Sequence, residues 1–280
     1  MNSSKNNIIS FEVFPPKTAE GLLLLNETCK ALNQFNPQYI SVTFGAAGSS
    51  QLRTLEVVEQ LVKHNIVTAP HISCIDMSKQ RVLELLAKYT TLGIKRLVVI
   101  QGDITDNTPK SCDFNYANEL VAYIRQHTGN QFHLSVAAYP EFHPRAINPT
   151  MDLENFKRKV LSGASSAITQ FFFNSDAYFR FLESCEKLGI TIPIIPGIMP
   201  IHDYIKLTRF AASCDAELPL WFRKSIEQHT HDKAAMMALG IELVCQLRER
   251  LHNGGVNNFH FYALNHVEPT TTILKNLNWG

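Results

Sequence analysis

The 280-residue sequence has almost no charge imbalance, with 26 Lys and Arg against 25 Asp and Glu and a formal net charge of +1. That balance excludes a general electrostatic pull toward nucleic acid or an anionic membrane. No apolar run approaches the roughly 20 residues needed to span a bilayer; the uninterrupted stretches are short, such as Leu97-Val98-Val99-Ile100. The polar start, Met1 to Asn7, lacks the apolar core of a signal peptide. A cytoplasmic location is therefore expected. None of the six cysteines, Cys29, Cys74, Cys112, Cys185, Cys214 and Cys245, forms a CxxC pair. Reduced packing thiols are expected in such a setting. No GxGxxG or GxxxxGK[ST] occurs, which argues against a Rossmann dinucleotide site or a P-loop.

What is present is alternation. With 45% apolar and 18% charged residues, the composition is that of a globular chain and not a disordered one. Short β-branched runs at Ile8–Phe14, Tyr39–Thr43, Val67–Ile72, Arg96–Gln101, His133–Tyr139, Ile168–Phe173, Ile192–Gly197 and Phe259–Tyr262 read as eight strands. The first seven begin 24 to 37 residues apart, the length of one βα unit, and the eighth begins 67 residues after the seventh. Helical periodicity fills the gaps over Ser78–Thr91, Asp113–His127, Ser175–Leu188 and His231–Leu251. Eight such units predict an α/β protein, a single-domain (β/α)8 TIM barrel over residues 1–280, with an insertion at about 203–256 before the last strand.

Active sites of such barrels lie at the C-terminal ends of the strands. Glu12 stands near one such end, in Phe11-Glu12-Val13-Phe14-Pro15-Pro16, and alternation turns it away from Phe11 and Val13. Desolvation at the mouth is expected to raise its pKa and let it hold a proton near neutrality. The same position suits a structural Glu paired with a Lys or Arg. Asp103 follows the fourth strand after Gly102; it fits a bond to a heterocycle, the balancing of a cation, or a turn cap. Gln170 lies in an apolar strand, where its amide needs either a ligand or a neighbouring strand as partner. His71 at the end of the third strand and His143 after the fifth suit metal ligation, whereas His229 and His231 read as surface. Lys157-Arg158-Lys159 suits a phosphate clamp or a solvated helix face. The small residues in Thr43-Phe44-Gly45-Ala46 would let a flat ring lie against backbone.

Eight segments, in order, carry a family resemblance. They are Phe11-Glu12-Val13-Phe14-Pro15-Pro16-Lys17-Thr18, Ser41-Val42-Thr43-Phe44-Gly45-Ala46, Ala69-Pro70-His71-Ile72-Ser73-Cys74-Ile75-Asp76 and Gln101-Gly102-Asp103. The rest are Ser135-Val136-Ala137-Ala138-Tyr139-Pro140-Glu141-Phe142-His143-Pro144, Ile168-Thr169-Gln170-Phe171-Phe172-Phe173, Pro196-Gly197-Ile198-Met199-Pro200-Ile201 and Phe259-His260-Phe261-Tyr262-Ala263-Leu264-Asn265. Over nearly the whole chain the sequence resembles the methylenetetrahydrofolate reductase family of one-carbon metabolism and methionine biosynthesis.

That resemblance implies FAD at the barrel mouth and a ping-pong reaction with NADH or NADPH that converts 5,10-methylenetetrahydrofolate to 5-methyltetrahydrofolate. It implies that Glu12 is the general acid at N10 and that Asp103 tunes the flavin and stabilises an iminium cation. It assigns Gln170 and Phe210 to folate, and Thr43, Ala46, His71, Gly102, Asp103, Tyr116, Ala117, Tyr139, His143, Asp152, Asn155, Arg158 and Lys159 to the flavin. A homo-oligomer is also implied, and no metal. Two positions depart from the family pattern: Gln101 stands where an Arg is common, and His266 stands where an Arg helps to hold folate's acidic tail. Lys206 is expected to restore part of the second lost charge. Competing readings are a metal-dependent barrel hydrolase or lyase using His71, Asp76 and His143, and a non-catalytic flavin- or folate-binding paralogue.

Overall fold

The computed structural model describes residues 7–44, 51–75, 77–102, 112–201, 203–229 and 231–279. Its strands are β1 (Ile8–Val13), β2 (Ile40–Val42), β3 (Thr68–Ser73), β4 (Arg96–Ile100), β5 (His133–Ala138), β6 (Ser166–Thr169), β7 (Ile194–Ile195), β8 (Gly197–Ile198) and β9 (Asn258–Tyr262). All pair in parallel, in the order β7-β6-β5-β4-β3-β2-β1-β9-β8. The two ends of that order, β7 and β8, are halves of one stretch parted by Pro196. The sheet thus closes into the expected (β/α)8 barrel. Proline has no N–H to give a ladder, so it breaks the seventh strand in two. Its carbonyl still accepts from His260 N at 3.0 Å.

Helices α1 (Ala19–Asn33), α2 (Gln51–Lys63), α3 (Lys79–Thr91), α4 (Ala117–Thr128), α5 (Pro149–Leu161) and α6 (Ser175–Lys187) return the chain between strands. Three more, α7 (Tyr204–Cys214), α8 (Leu220–Glu227) and α9 (Lys233–Asn253), separate β8 from β9, and α10 (Thr270–Asn276) follows β9. Side-chain oxygens of Thr18, Ser78, Asn148, Asn174, Asp203 and Asp232 accept from first-turn N–H groups and fix where helices begin. The fourth helix starts at Ala117 and not at Asp113. Asp113 instead bonds Lys79 N at 2.8 Å, and Glu119 takes Asn115 N and Tyr116 N in a capping box.

Alternation along β1 buries Ile9, Phe11 and Val13 in the large apolar layer between strands and helices, which also holds Leu25, Leu32, Phe259 and Phe261. The barrel interior holds a smaller apolar cluster of Tyr39, Ala69, Val98 and Ile168. Polar side chains are buried as well, among them Ser10, Ser41, His71, Ser135, Ser166 and His260. The sixth strand is shorter than its apolar sequence suggests. It ends at Thr169, and the three phenylalanines beyond it are buried by rings from other elements. Phe172 stacks on Tyr178 at 5.4 Å, and Phe173 meets Phe222 at 4.3 Å. Apolar burial, and not sheet pairing, explains that run. Among the described residues no helix is long and apolar enough to cross a membrane.

Candidate active site

Glu12 is the second-last residue of β1, so it stands at the C-terminal end of the barrel. Its Oε2 lies 3.3 Å from His71 Nε2 of β3 and 3.6 Å from His260 Nε2 of β9. Strand β1 sits beside β9 and one strand away from β3, which is why residues far apart in sequence meet here. The carboxyl was expected to titrate high. Burial does push it up, but hydrogen bonding and positive charge from His260 and His71 outweigh burial and bring it down to about 2. The correction is one of sign: Glu12 shares its pocket with two proton-binding groups, not with apolar side chains alone.

Gln170 sits just past the end of β6 and not inside a strand. Its backbone N donates to Ala138 O at 2.8 Å, and its Oε1 accepts from Phe171 N at 3.0 Å. Thr43 follows β2, and its N donates to Val13 O at 2.9 Å. Thr43 Oγ1 and His71 Nδ1 are buried without a hydrogen-bond partner. Buried polar atoms of this kind ordinarily find partners. Gly102 follows β4 with φ +88°, and a Cβ there would stand 2.3 Å from Ser73 Oγ. A residue with a side chain is excluded, and backbone is left to line the mouth. Ala46, Asp76 and Asp103 lie outside the described residues.

The loop after β5 is tied to α5. His143 N donates to Asp152 Oδ2 at 3.0 Å, its Nδ1 accepts from Arg145 N at 3.0 Å, and its ring packs edge-on against Tyr139 at 4.5 Å. Burial and then Arg145 lower the pKa of His143. Lys159 reaches inward and donates to Ala137 O, and burial brings its ammonium down to about 8 against the pull of Asp152. Arg158 is instead exposed and donates to Asn155 Oδ1 at 3.0 Å. The basic run is therefore split, with Lys159 turned toward the barrel and Arg158 toward solvent. Tyr116 is exposed at the start of α4, where Ala117 is buried.

Both departures from the family pattern have electrostatic neighbours. Gln101 Nε2 donates to Asn115 O at 2.6 Å, and its Oε1 accepts from Arg145 Nη2 at 2.7 Å. A guanidinium thus reaches the strand end from another loop. His266 follows β9, and its pKa is lowered by burial and by Lys206, so Lys206 lies close enough to act on it. Phe210, on the same helix as Lys206, is 42% exposed.

Among the described residues no three of His, Cys, Asp or Glu are grouped as a metal requires. None of the six cysteines is in a disulfide, and burial pushes Cys29, Cys74 and Cys185 up to about 12. At that value they are unreactive. The sequence reading missed His260, together with Ser10, whose Oγ lies 2.7 Å from His260 Nδ1. Period-two alternation held the signal: Ser10 and Glu12 share one face of β1, and His260 and Tyr262 share one face of β9.

The orphaned atoms of Thr43 and His71, the bare backbone at Gly102 and the inward ammonium of Lys159 suit a polar, phosphate-bearing ring cofactor. The methylenetetrahydrofolate reductase family profile matches residues 1–278. The 5,10-methylenetetrahydrofolate reductase of Buchnera aphidicola from Acyrthosiphon pisum is 37% identical over 275 residues, covering 98% of this chain and 93% of that protein. Its counterpart in Escherichia coli K12 is 34% identical over 270 residues, covering 96% and 90%. Among solved structures, a Clostridium thermocellum protein described as binding two copies of 5-methyl-5,6,7,8-tetrahydrofolic acid matches with a TM-score of 0.65 at 16% identity, over 96% of this chain and 93% of that one; this likeness speaks to the fold. The chain belongs to the methylenetetrahydrofolate reductase family.

Proposed function

We propose that this protein reduces 5,10-methylenetetrahydrofolate to 5-methyltetrahydrofolate with NADH or NADPH, through FAD, in two half-reactions that share one site. The observation that carries the reading is Glu12, held at the barrel mouth between His71 and His260. It is a carboxyl with proton-binding neighbours, placed where barrel enzymes do chemistry.

Thr43, Ala46, His71, Gly102, Asp103, Tyr116, Ala117, Tyr139, His143, Asp152, Asn155, Arg158 and Lys159 would hold the flavin. When bound, it would take a hydride from the nicotinamide and give it to the folate's one-carbon unit. Before the folate binds, the two imidazoles hold Glu12 ionised; it takes up a proton as the folate enters and gives it to N10, which opens the five-membered ring and leaves a cation on the substrate. Asp103 stabilises that cation by charge. Gln170 offers an amide to the pterin, and Phe210 packs on it. Lys206 and His266 meet the acidic tail. The enzyme works in the cytoplasm as a homo-oligomer.

The test is a visible spectrum of the FAD-reconstituted protein under anaerobic conditions. NADH or NADPH is expected to bleach the flavin, and methylenetetrahydrofolate to restore its colour. In Glu12→Gln the bleaching should persist and the recovery should slow by about 100-fold or more, the scale of a lost general acid. Absence of bleaching with either nicotinamide would overturn the reading.

A further inference from the structure

Gln101 follows β4 directly, and its backbone O accepts from Ser73 Oγ of β3 at 3.0 Å. Its side chain joins two loops of the mouth. Nε2 donates to Asn115 O, ahead of α4, at 2.6 Å. Oε1 accepts from Arg145 Nη2, in the loop between β5 and α5, at 2.7 Å. Both ends of the amide are thereby used, and a guanidinium is pinned at the end of a strand 44 residues before it. Resting on the reductase reading, we infer that Arg145 is a binding residue for the diphosphate of FAD, and that Gln101 is the residue that positions it. A guanidinium carries a permanent charge and paired N–H donors that match two phosphate oxygens. Nη2 is spent on Gln101, which leaves Nη1 and Nε to meet the anion.

The loop that carries Arg145 is held in shape by its own hydrogen bonds. His143 O accepts from Ala146 N at 2.8 Å and closes a turn around Arg145. His143 Nδ1 accepts from Arg145 N at 3.0 Å, and His143 N donates to Asp152 Oδ2 at 3.0 Å, which ties the turn to α5. Little ordering therefore remains to be done when an anion arrives. The charges nearby also fit an anion. Burial and Arg145 both lower the pKa of His143, and its Nδ1 is an acceptor here, so the ring stays neutral beside the guanidinium. Among the described residues no carboxylate stands within ion-pair distance of Arg145. Its charge is held by a neutral amide and is not cancelled. The position suits the charged end of the cofactor and not its ring. Arg145, Asn115 and Tyr116 are exposed, whereas Thr43 and His71 are buried. A diphosphate keeps much of its hydration at an exposed rim, while a flat ring suits the buried orphaned atoms of Thr43 and His71.

Arg145→Ala tests the assignment through affinity, without turnover. The FAD-free protein is titrated with FAD and, separately, with riboflavin, which has the ring and no phosphate; flavin fluorescence reads both. FAD affinity is expected to fall about 10- to 100-fold, the scale of a lost charge-assisted hydrogen bond, and riboflavin affinity by less than about 2-fold. Added salt should weaken FAD binding less steeply in the variant than in the wild type. Gln101→Leu keeps the charge and removes its hold, so it should give a smaller loss for FAD. Gln101→Arg in the Arg145→Ala background returns a guanidinium to the strand end and should recover most of the affinity. Retained riboflavin binding shows that a variant is folded. An unchanged FAD affinity in Arg145→Ala, a loss shared equally by riboflavin, or an unchanged salt dependence overturns the assignment. A wild type that binds FAD but is bleached by neither nicotinamide instead overturns the reductase reading, and the affinity comparison still decides the role of Arg145.

Discussion

Two carboxyls of this protein are shifted in opposite directions, one by the imidazoles beside it and the other chiefly by burial. Glu12 has two imidazoles and is held low. Glu141, in the loop after β5, is pushed up to about 7, chiefly by burial and further by the charge of Glu217, although it accepts Glu217 N at 2.7 Å. A carboxyl whose pKa rises on folding favours the folded state below its unfolded value and loses that contribution as pH climbs through the folded one. For Glu141 the window runs from about 4.5 to about 7. Glu141→Gln keeps an acceptor for Glu217 N and removes the ionisation. It is expected to stabilise the protein at pH 8 by about 1–2 kcal/mol, after allowance for partial exposure, and by little at pH 4. Differential scanning calorimetry at the two pH values checks this. At Gln101 the sequence alone suggested a lost charge, because the rescue comes from Arg145 on a different loop. Glu12's place at the mouth was legible from two-residue alternation. The sign of its shift was not, because both partners come from distant strands.

Strands and helices were legible wherever one short stretch contained its own reason. Caps such as Thr18, Ser78 and Asn148 sit within three residues of the groups they bind. The elements that departed from expectation did so through distant contacts. Asp113 serves α3 and not its own helix, and Phe171 to Phe173 are buried by rings from other segments. The broken seventh strand makes a sharper case. Gly197 N donates to Thr169 Oγ1 at 2.9 Å, and a Cβ at Gly197 would lie 2.2 Å from Thr169 O and 2.6 Å from Tyr262 Cε2. The glycine is required because β6 and β9 close in on both sides. Gly197→Ala is expected to cost about 2–4 kcal/mol, at or above the usual range for overpacking, since backbone must yield. A fall in the urea midpoint measures it; an unchanged midpoint would mean that the two strands separate freely.

At the scale of the molecule, the barrel depends on its last segment. Trp279 packs on Phe259 at 5.5 Å and on Phe261 at 5.8 Å, and Arg248 of α9 lies over its ring at 4.6 Å. This contact fastens the longest helix to the strand that completes the ring. Trp279→Ala is expected to lower stability by about 2–4 kcal/mol, below the cost of a fully buried aromatic because the ring is partly exposed. Chemical denaturation of the variant checks it, and the strand-end chemistry should survive at low temperature. The architecture was readable from spacing because each βα unit repeats a local pattern. The Glu12 cluster was not readable in full, since it exists only through closure.

That closure has a consequence in time. β1 pairs with β9, and Glu12 meets His260 only across that pair. On the ribosome, Glu12 is synthesised long before His260 and waits for it. No partial chain lacking the last strand contains the assembled acid site. The nascent chain lacks the Glu12–His260 contact until β1 and β9 have paired.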